Sequence, residues 1–135
     1  QVEEIITPIL TQARHIMIAS SFIIPEHHLH VAAAVRNGAQ CQTATSQRIV
    51  QELEEKNLSL MDSSHLSQIE VRIHEHINMH LIVTESHLVL SLPRLDGSID
   101  LQNVIISKDR EALNWGRTLF YYFFYGSPKI ESNHR

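Results

Sequence analysis

A single cysteine, Cys41, excludes an internal disulfide, and a lone thiol fits a reducing, cytoplasmic compartment. Placed in an apparent strand, Cys41 reads as a small buried hydrophobe rather than a nucleophile. Long apolar runs are also lacking. None approaches the roughly 20 residues of a membrane-spanning helix, and no signal-peptide pattern precedes the first helix. Basic charge is sparse, with 11 Lys and Arg against 15 Asp and Glu and a net charge of −4. That is a poor electrostatic footprint for nucleic acid, where Lys and Arg contacts to phosphate dominate affinity. Glycine and proline number four each, so punctuation is thin and most of it marks element boundaries.

What is present suits one globular domain. The chain has 135 residues, 43% hydrophobic and 19% charged, enough for a single core and too apolar for disorder. It begins with Gln1 rather than Met, as expected of a piece of something longer.

Val2, Ile5, Ile6, Ile9, Leu10 and Ala13 fall on one face of an amphipathic helix, which Pro8 should kink or restart. His15 to Ala19 reads as a buried strand followed by Ser20 and Ser21. Pro25 then opens a helix that Gly38 closes. Its apolar face is assigned to Leu29, Val31, Ala32, Ala33 and Val35. His27 and His30 then fall opposite, as solvated residues rather than a chelating pair. His28 lies on the apolar side in the first turn, either packed in the core or lining a pocket. Residues 39–43 give the next strand, and Thr45 or Ser46 can cap a helix over 47–56. Residues 58–68 suggest a short helical turn capped by Ser63 or Ser64, and a strand over 69–74 follows.

The centre of the chain is residues 69–97. Apolar runs at 79–83 and 88–92 form two strands joined by a tight turn at Glu85-Ser86. Asn78, His80 and Ser91 sit on them, where a purely structural hairpin has no use for polar groups. A buried polar group without a partner costs on the order of 1–3 kcal/mol, so this hairpin reads as the floor of a pocket. His74, His76 and His80 could in principle gather around a metal, yet they lack a helical ligand spacing and no metal site is expected. Asp96-Gly97 marks a turn. Arg94 beside it can hold a carboxylate or phosphate bidentately, or form a surface salt bridge with Asp96 or Asp100. Short strands can form at 99–101 and 104–107. Asp109 or Ser107 then caps a long helix over 110–125, where Gly116 in the apolar stripe implies close approach to a sheet or a second subunit. Its aromatic density at 120–125, with Trp115 and Tyr122 on the flank, suggests core packing first and a dimer surface in part.

Asn78-x-His80-x4-Glu85, followed by an apolar strand into Ser91, resembles the phospholipase D superfamily motif His-x-Lys-x4-Asp with its trailing Gly-Ser. Asn78 stands at the nucleophile position, His80 at the Lys position and Glu85 at the Asp position. The shape of the motif is present without its chemistry. Degenerate motifs of this kind are similar to the effector domains of archaeal winged-helix transcriptional regulators, the TrmB-like kind and the middle domain of methanogenesis-type regulators. The downstream stretch SLPRLDGSIDLQNVIISKDREALNWGRTLF is more similar to the second group, and the resemblance covers roughly residues 2–125.

The expected fold is therefore an α/β single layered domain, a mixed sheet flanked by helices and phospholipase D-like. Residues 1–126 would form a ligand-sensing effector domain and 127–135 a flexible tail, with an N-terminal winged-helix domain missing. Ligands in open α/β sheets sit beyond the carboxyl ends of the strands. Joined with the resemblance, that rule gives a ligand-binding set of His28, Ser21, Thr45, Asn78, His80, Ser91 and Arg94. The expected function is sensing of a small polar or anionic metabolite by a catalytically inactive, homodimeric regulator that meets DNA only through another domain, without a cofactor, a metal or a membrane. The alternatives are a phosphodiesterase or nuclease using His80 with Glu85 orienting it, and a dimerisation module without a ligand.

Overall fold

The computed structural model describes residues 2–56 and 66–126. In chain order the elements are α1 (Val2–Thr11), β1 (His15–Ser20), α2 (Pro25–Arg36), β2 (Gln40–Thr45) and α3 (Gln47–Glu55). After a 3₁₀ turn (Leu66–Gln68) come β3 (Ile69–Ile73), β4 (His80–Thr84), β5 (Leu88–Ser91), β6 (Ile105–Ser107) and α4 (Arg110–Tyr125). The expected Ser63 or Ser64 cap and the 127–135 tail lie outside the described residues.

The six strands form one mixed sheet in the order β3-β2-β1-β4-β5-β6. β1 to β3 run parallel, while β4, β5 and β6 form an antiparallel meander joined to β1 by an antiparallel pair. The two halves meet where β4 lies against β1. Strands β4 and β5 are buried along their whole length, because helices cover both faces; that is why they read as continuous apolar runs rather than alternating ones. On one face, Ile6 and Leu10 of α1 and Val31 and Val35 of α2 pack on Ile16, Ile82 and Val89. On the other, Leu113, Phe120 and Phe124 of α4 pack on Met17, Leu81, Val83 and Leu88.

Local chemistry explains most boundaries. Ser46 sits at the N-cap of α3 and its hydroxyl accepts from Ile49 N; Thr45 instead ends β2. Ser107 Oγ accepts from Asp109 N, while the Asp109 side chain at the N-cap position of α4 makes no cap bond. Gly38 follows α2 with φ 104°, a backbone region that favours glycine. Pro8 lies inside an unbroken helical span. Of the two further strands expected, 104–107 appears as β6, while Ile99 makes only an isolated bridge to Pro93.

Two helix faces differ from expectation. Leu29 is exposed, and α2 buries His27, Val31, Ala34 and Val35 instead. These four follow i, i+4, i+7, i+8, because α2 packs on α1 as well as on the sheet, which turns its buried stripe by about one residue. Ile5 of α1 is likewise exposed.

Gly116 is where α4 comes closest to the sheet. A Cβ there would stand 2.6 Å from Leu88 Cδ1 and 3.0 Å from Val83 Cγ2. Gly116→Val is expected to destabilise the domain by about 3 kcal/mol through overpacking. Gly116→Ala should cost less, since alanine recovers roughly 1 kcal/mol of helix propensity. Urea unfolding of the two variants beside the parent checks the order.

Candidate functional site

His80 opens β4 at the join between the parallel and antiparallel halves. In register it faces Ser20, the last residue of β1, on one side and Ser91, the last of β5, on the other. Its ring is buried on the face covered by α1 and α2, only 4% exposed, so both ring nitrogens need partners. Nδ1 lies 2.7 Å from Ser20 Oγ. Nε2 lies 3.0 Å from Nδ1 of His27, whose ring stacks on it with centroids 5.2 Å apart. His27 Nε2 in turn lies 3.4 Å from Glu3 Oε2. That last span is longer than a good hydrogen bond, so the link is electrostatic, and His27 Nε2 has no hydrogen-bond partner of its own.

The carboxylate at the outer end gives this chain a direction. With both rings neutral, the tautomer that carries the His27 proton on Nε2 points it toward Glu3 and accepts at Nδ1 from His80 Nε2–H. His80 Nδ1 then accepts from the Ser20 hydroxyl. One further proton on His27 reverses every link: His27 Nδ1–H donates to His80, His80 Nδ1–H donates to Ser20, and the Ser20 hydroxyl donates to Phe22 O, 3.1 Å away. Burial favours the neutral form. It pushes the His80 imidazole down to about 3, with His27 adding to the effect. Burial lowers His27 as well, opposed by Glu3.

The expected site residues divide into those the fold gathers and those it does not. Thr45, His80 and Ser91 are buried at the ends of β2, β4 and β5 on the α1/α2 side, with β1 between β2 and β4. Ser21 is half-buried just past β1, and its carbonyl accepts from Arg48 Nη2 at 3.5 Å. His28 is half-buried and shifted down by burial, but its ring makes no hydrogen bond among the described residues. Asn78 is exposed on the connection before β4. Arg94 is exposed and engaged inside its own loop, bonding Ser98 Oγ, Ile99 O and Asp100 Oδ1. The Asp100 salt bridge is thus the arrangement Arg94 adopts.

Three corrections follow from the geometry. His27 is not solvated but the direct partner of His80, and its i, i+4, i+7, i+8 relation to Val31, Ala34 and Val35 was the signal for it. His30 is half-buried too, with Nε2 3.2 Å from Thr7 Oγ1 of α1. Glu85 does not orient His80. It sits about 16 Å away at the far end of β4, where its carboxylate accepts from Arg14 N and His15 N, each at 3.1 Å. Burial pushes that carboxyl up, but these N–H groups and its own outweigh the effect and hold it below the ordinary value. His74 and His76 lie apart from His80: His76 N donates to His74 Nδ1, and His74 packs edge-on against Phe123 of α4. Among the described residues, no three His, Cys, Asp or Glu side chains are placed to hold a metal ion.

The family described as the middle domain of the methanogenesis regulatory protein FilR1 matches residues 2–124. This chain belongs to that family. The fold of this FilR1-type middle domain is similar to TrmBL2, an archaeal chromatin protein described as showing a novel mode of DNA binding (TM-score 0.75, 14% identity, 95% of this chain and 50% of that one). It is also similar to Nuc, a phospholipase D family member from Salmonella typhimurium (TM-score 0.68, 13% identity, 96% of this chain and 91% of that one). At such identities the likeness is one of fold: the FilR1-type middle domain has a phospholipase D-like architecture. It spans half the length of TrmBL2. No curated protein matches it in sequence. None of its described helices is long and apolar enough to cross a membrane.

The two imidazoles make stability depend on pH. Both have lowered proton affinity in the folded state, so on acidification the unfolded chain takes up protons first. The His80 contribution is complete above pH 6.5 and is lost as the pH falls from there toward about 3, and that of His27 is lost in the same direction. The steepest slope expected is about 1.4 kcal/mol per pH unit for each imidazole. Urea unfolding in steps between about pH 7 and pH 5 should show the decline, and His80→Gln should flatten it.

Proposed function

We propose that this FilR1-type middle domain senses a small polar metabolite beyond the carboxyl ends of β1 and β2 and is itself catalytically inactive. The observation that carries this reading is the Ser20–His80–His27–Glu3 chain. A buried imidazole with both ring nitrogens committed, as in His80, suits recognition and positioning better than turnover. Asn78, at the place where the phospholipase D motif has its nucleophile, has no lone pair able to form a phosphohistidine. A metabolite would enter past the half-buried Ser21 and His28 and the exposed Asn78, and meet Thr45, His80 and Ser91 beneath them. Competing for His80 would disturb His27 and so the seating of α1, giving ligand and domain arrangement the energetic coupling that regulation requires. In the longer regulator, a separate winged-helix domain would contact DNA.

Thermal-shift and calorimetric titration with a metabolite panel tests the site. At least one compound should bind, and His80→Ala or Ser91→Ala should weaken it tenfold or more, about 1.4 kcal/mol. A phosphodiesterase would instead hydrolyse a chromogenic phosphodiester and lose that turnover in His80→Ala; no turnover is expected.

The same reading includes a homodimer formed through the outer side of α4. Trp115, Tyr122 and Tyr125 are exposed there, Tyr122 by 70%, and aromatic side chains left in water on one helix are typical of covered surfaces. Trp115→Glu combined with Tyr122→Glu is expected to shift sedimentation from dimer to monomer while leaving the circular-dichroism spectrum unchanged.

A further inference from the structure

The sheet ends differently on its two sides. β3, one edge strand, carries Glu70 and Arg72, which pair with each other. Charged side chains, proline and bulges are what proteins use to keep an edge from pairing with another chain. β6, the other edge, has no such protection: residues 104–107, Val-Ile-Ile-Ser, include no charge, proline or glycine. Ile105 is 49% exposed there.

Which backbone groups face outward follows from the β4–β5 hairpin. Thr84 N donates to His87 O, so these two form a hydrogen-bonded pair, and in an antiparallel ladder such pairs alternate with non-bonded ones. Val89 and Ser91 therefore bond to β4. Leu88 and Leu90 are left to bond β6, at Ser107 and Ile105. Ile106, opposite Val89, turns its N–H and C=O away from β5. Among the described residues no strand pairs with it on that side.

An outward-facing residue at the middle of a three-residue strand suits a second copy of the same strand. In an antiparallel approach, the Ile106 residues of the two copies bond to each other, N–H to C=O in both directions. Val104 of each copy then stands opposite Lys108 of the other, and Ile105 opposite Ser107, so no like charges meet. So short an edge fixes register but buries far less than the roughly 800 Å² per partner of a stable interface. Apolar surface beside it supplies the remainder. Val104 and Ile106 pack on the α1/α2 side of the sheet, which places Ile105 on the α4 side. There Gly116 sits over Leu88, the partner of Ser107, and Trp115 next to it is 51% exposed.

We infer that two copies of this chain join β6 to β6 about a two-fold axis at Ile106, making one sheet continuous through both, with Ile105 and Trp115 covered beside the joint. The inference rests on the homodimer proposed above and places its joint at the sheet edge and the Trp115 end of α4.

Sedimentation equilibrium of the parent, Ile105→Lys, Ile106→Pro and Tyr122→Glu tests it, with circular dichroism as the control for folding. Lysine at 105 puts a charge on an exposed edge position. Proline at 106 removes only the outward N–H, a place where edge strands accept it. Both variants should weaken association about tenfold or more with unchanged spectra, and Tyr122→Glu should leave the dimer intact. If Ile106→Pro loses its fold, Ile105→Lys decides alone. A dimer undiminished in Ile105→Lys, or in a folded Ile106→Pro, overturns the inference and leaves the homodimer itself standing. Loss of the dimer in Tyr122→Glu moves the joint to the far half of α4 and overturns it as well. A parent that is monomeric at every concentration removes the homodimer and this joint together.

Discussion

The arrangement depends on one constraint: a histidine placed at the start of a strand that is covered on both faces. β4 has no exposed side along which a polar ring could reach water, so the two nitrogens of His80 must be satisfied from within. Ser20 answers one of them from the end of β1, which fixes where β1 stops pairing. His27 answers the other from α2, which fixes the rotation of that helix about its axis. His27 then brings its remaining nitrogen to Glu3, and His30 reaches Thr7 one turn further along α1. Placement of both helices over this face follows in part from a single buried imidazole, with apolar packing of Ile6, Leu10, Val31 and Val35 supplying most of the stability.

How legible this was in the sequence depended on how many partners each element has. The β4–β5 hairpin stands out because strands covered on both sides must be apolar throughout. The bounds of α4 stand out because Asp109 and the aromatic stripe leave little choice. The orientation of α2 was not legible in the same way. Leu29 carries more apolar weight than Ala34, so a wheel judged on composition turns toward it. The helix instead obeys two packing partners, and turning it leaves Leu29 in solvent while burying a histidine whose ring is satisfied. Pairwise polar satisfaction between residues 53 apart, such as His27 and His80, leaves no trace in local periodicity. The strand-end rule could bring Ser20 to the same edge as His80, and the two do bond, but the bond to His27 could not be foreseen.

The motif spacing has a structural meaning of its own. His80 and Glu85 stand at opposite ends of β4, and five residues is the length of that strand. Glu85 closes the far end by accepting the backbone N–H groups that open β1, a role that needs an acceptor carboxylate there and nothing else from the motif. Preserving the spacing therefore preserves the strand and its two termini. It does not require the motif residues to converge on one cavity: Asn78 lies outside the strand and is exposed.

At the near end of β4 stands a buried, hydrogen-bonded imidazole pair, His80 and His27, between the Ser20 hydroxyl and the Glu3 carboxylate. A neutral imidazole pair carries one ring proton between the two rings, so the tautomer of His80 fixes both what it offers Ser20 and what it offers His27. Any group that takes the Ser20 hydroxyl, or offers His80 Nδ1 a different donor, acts on a ring whose other nitrogen is already committed to His27. Glu3 is an electrostatic neighbour of His27 rather than a hydrogen-bond acceptor, and its charge opposes the effect of burial on that ring. Two imidazoles are enough to make the strand ends and the first helix energetically aware of each other, with no net charge buried between them.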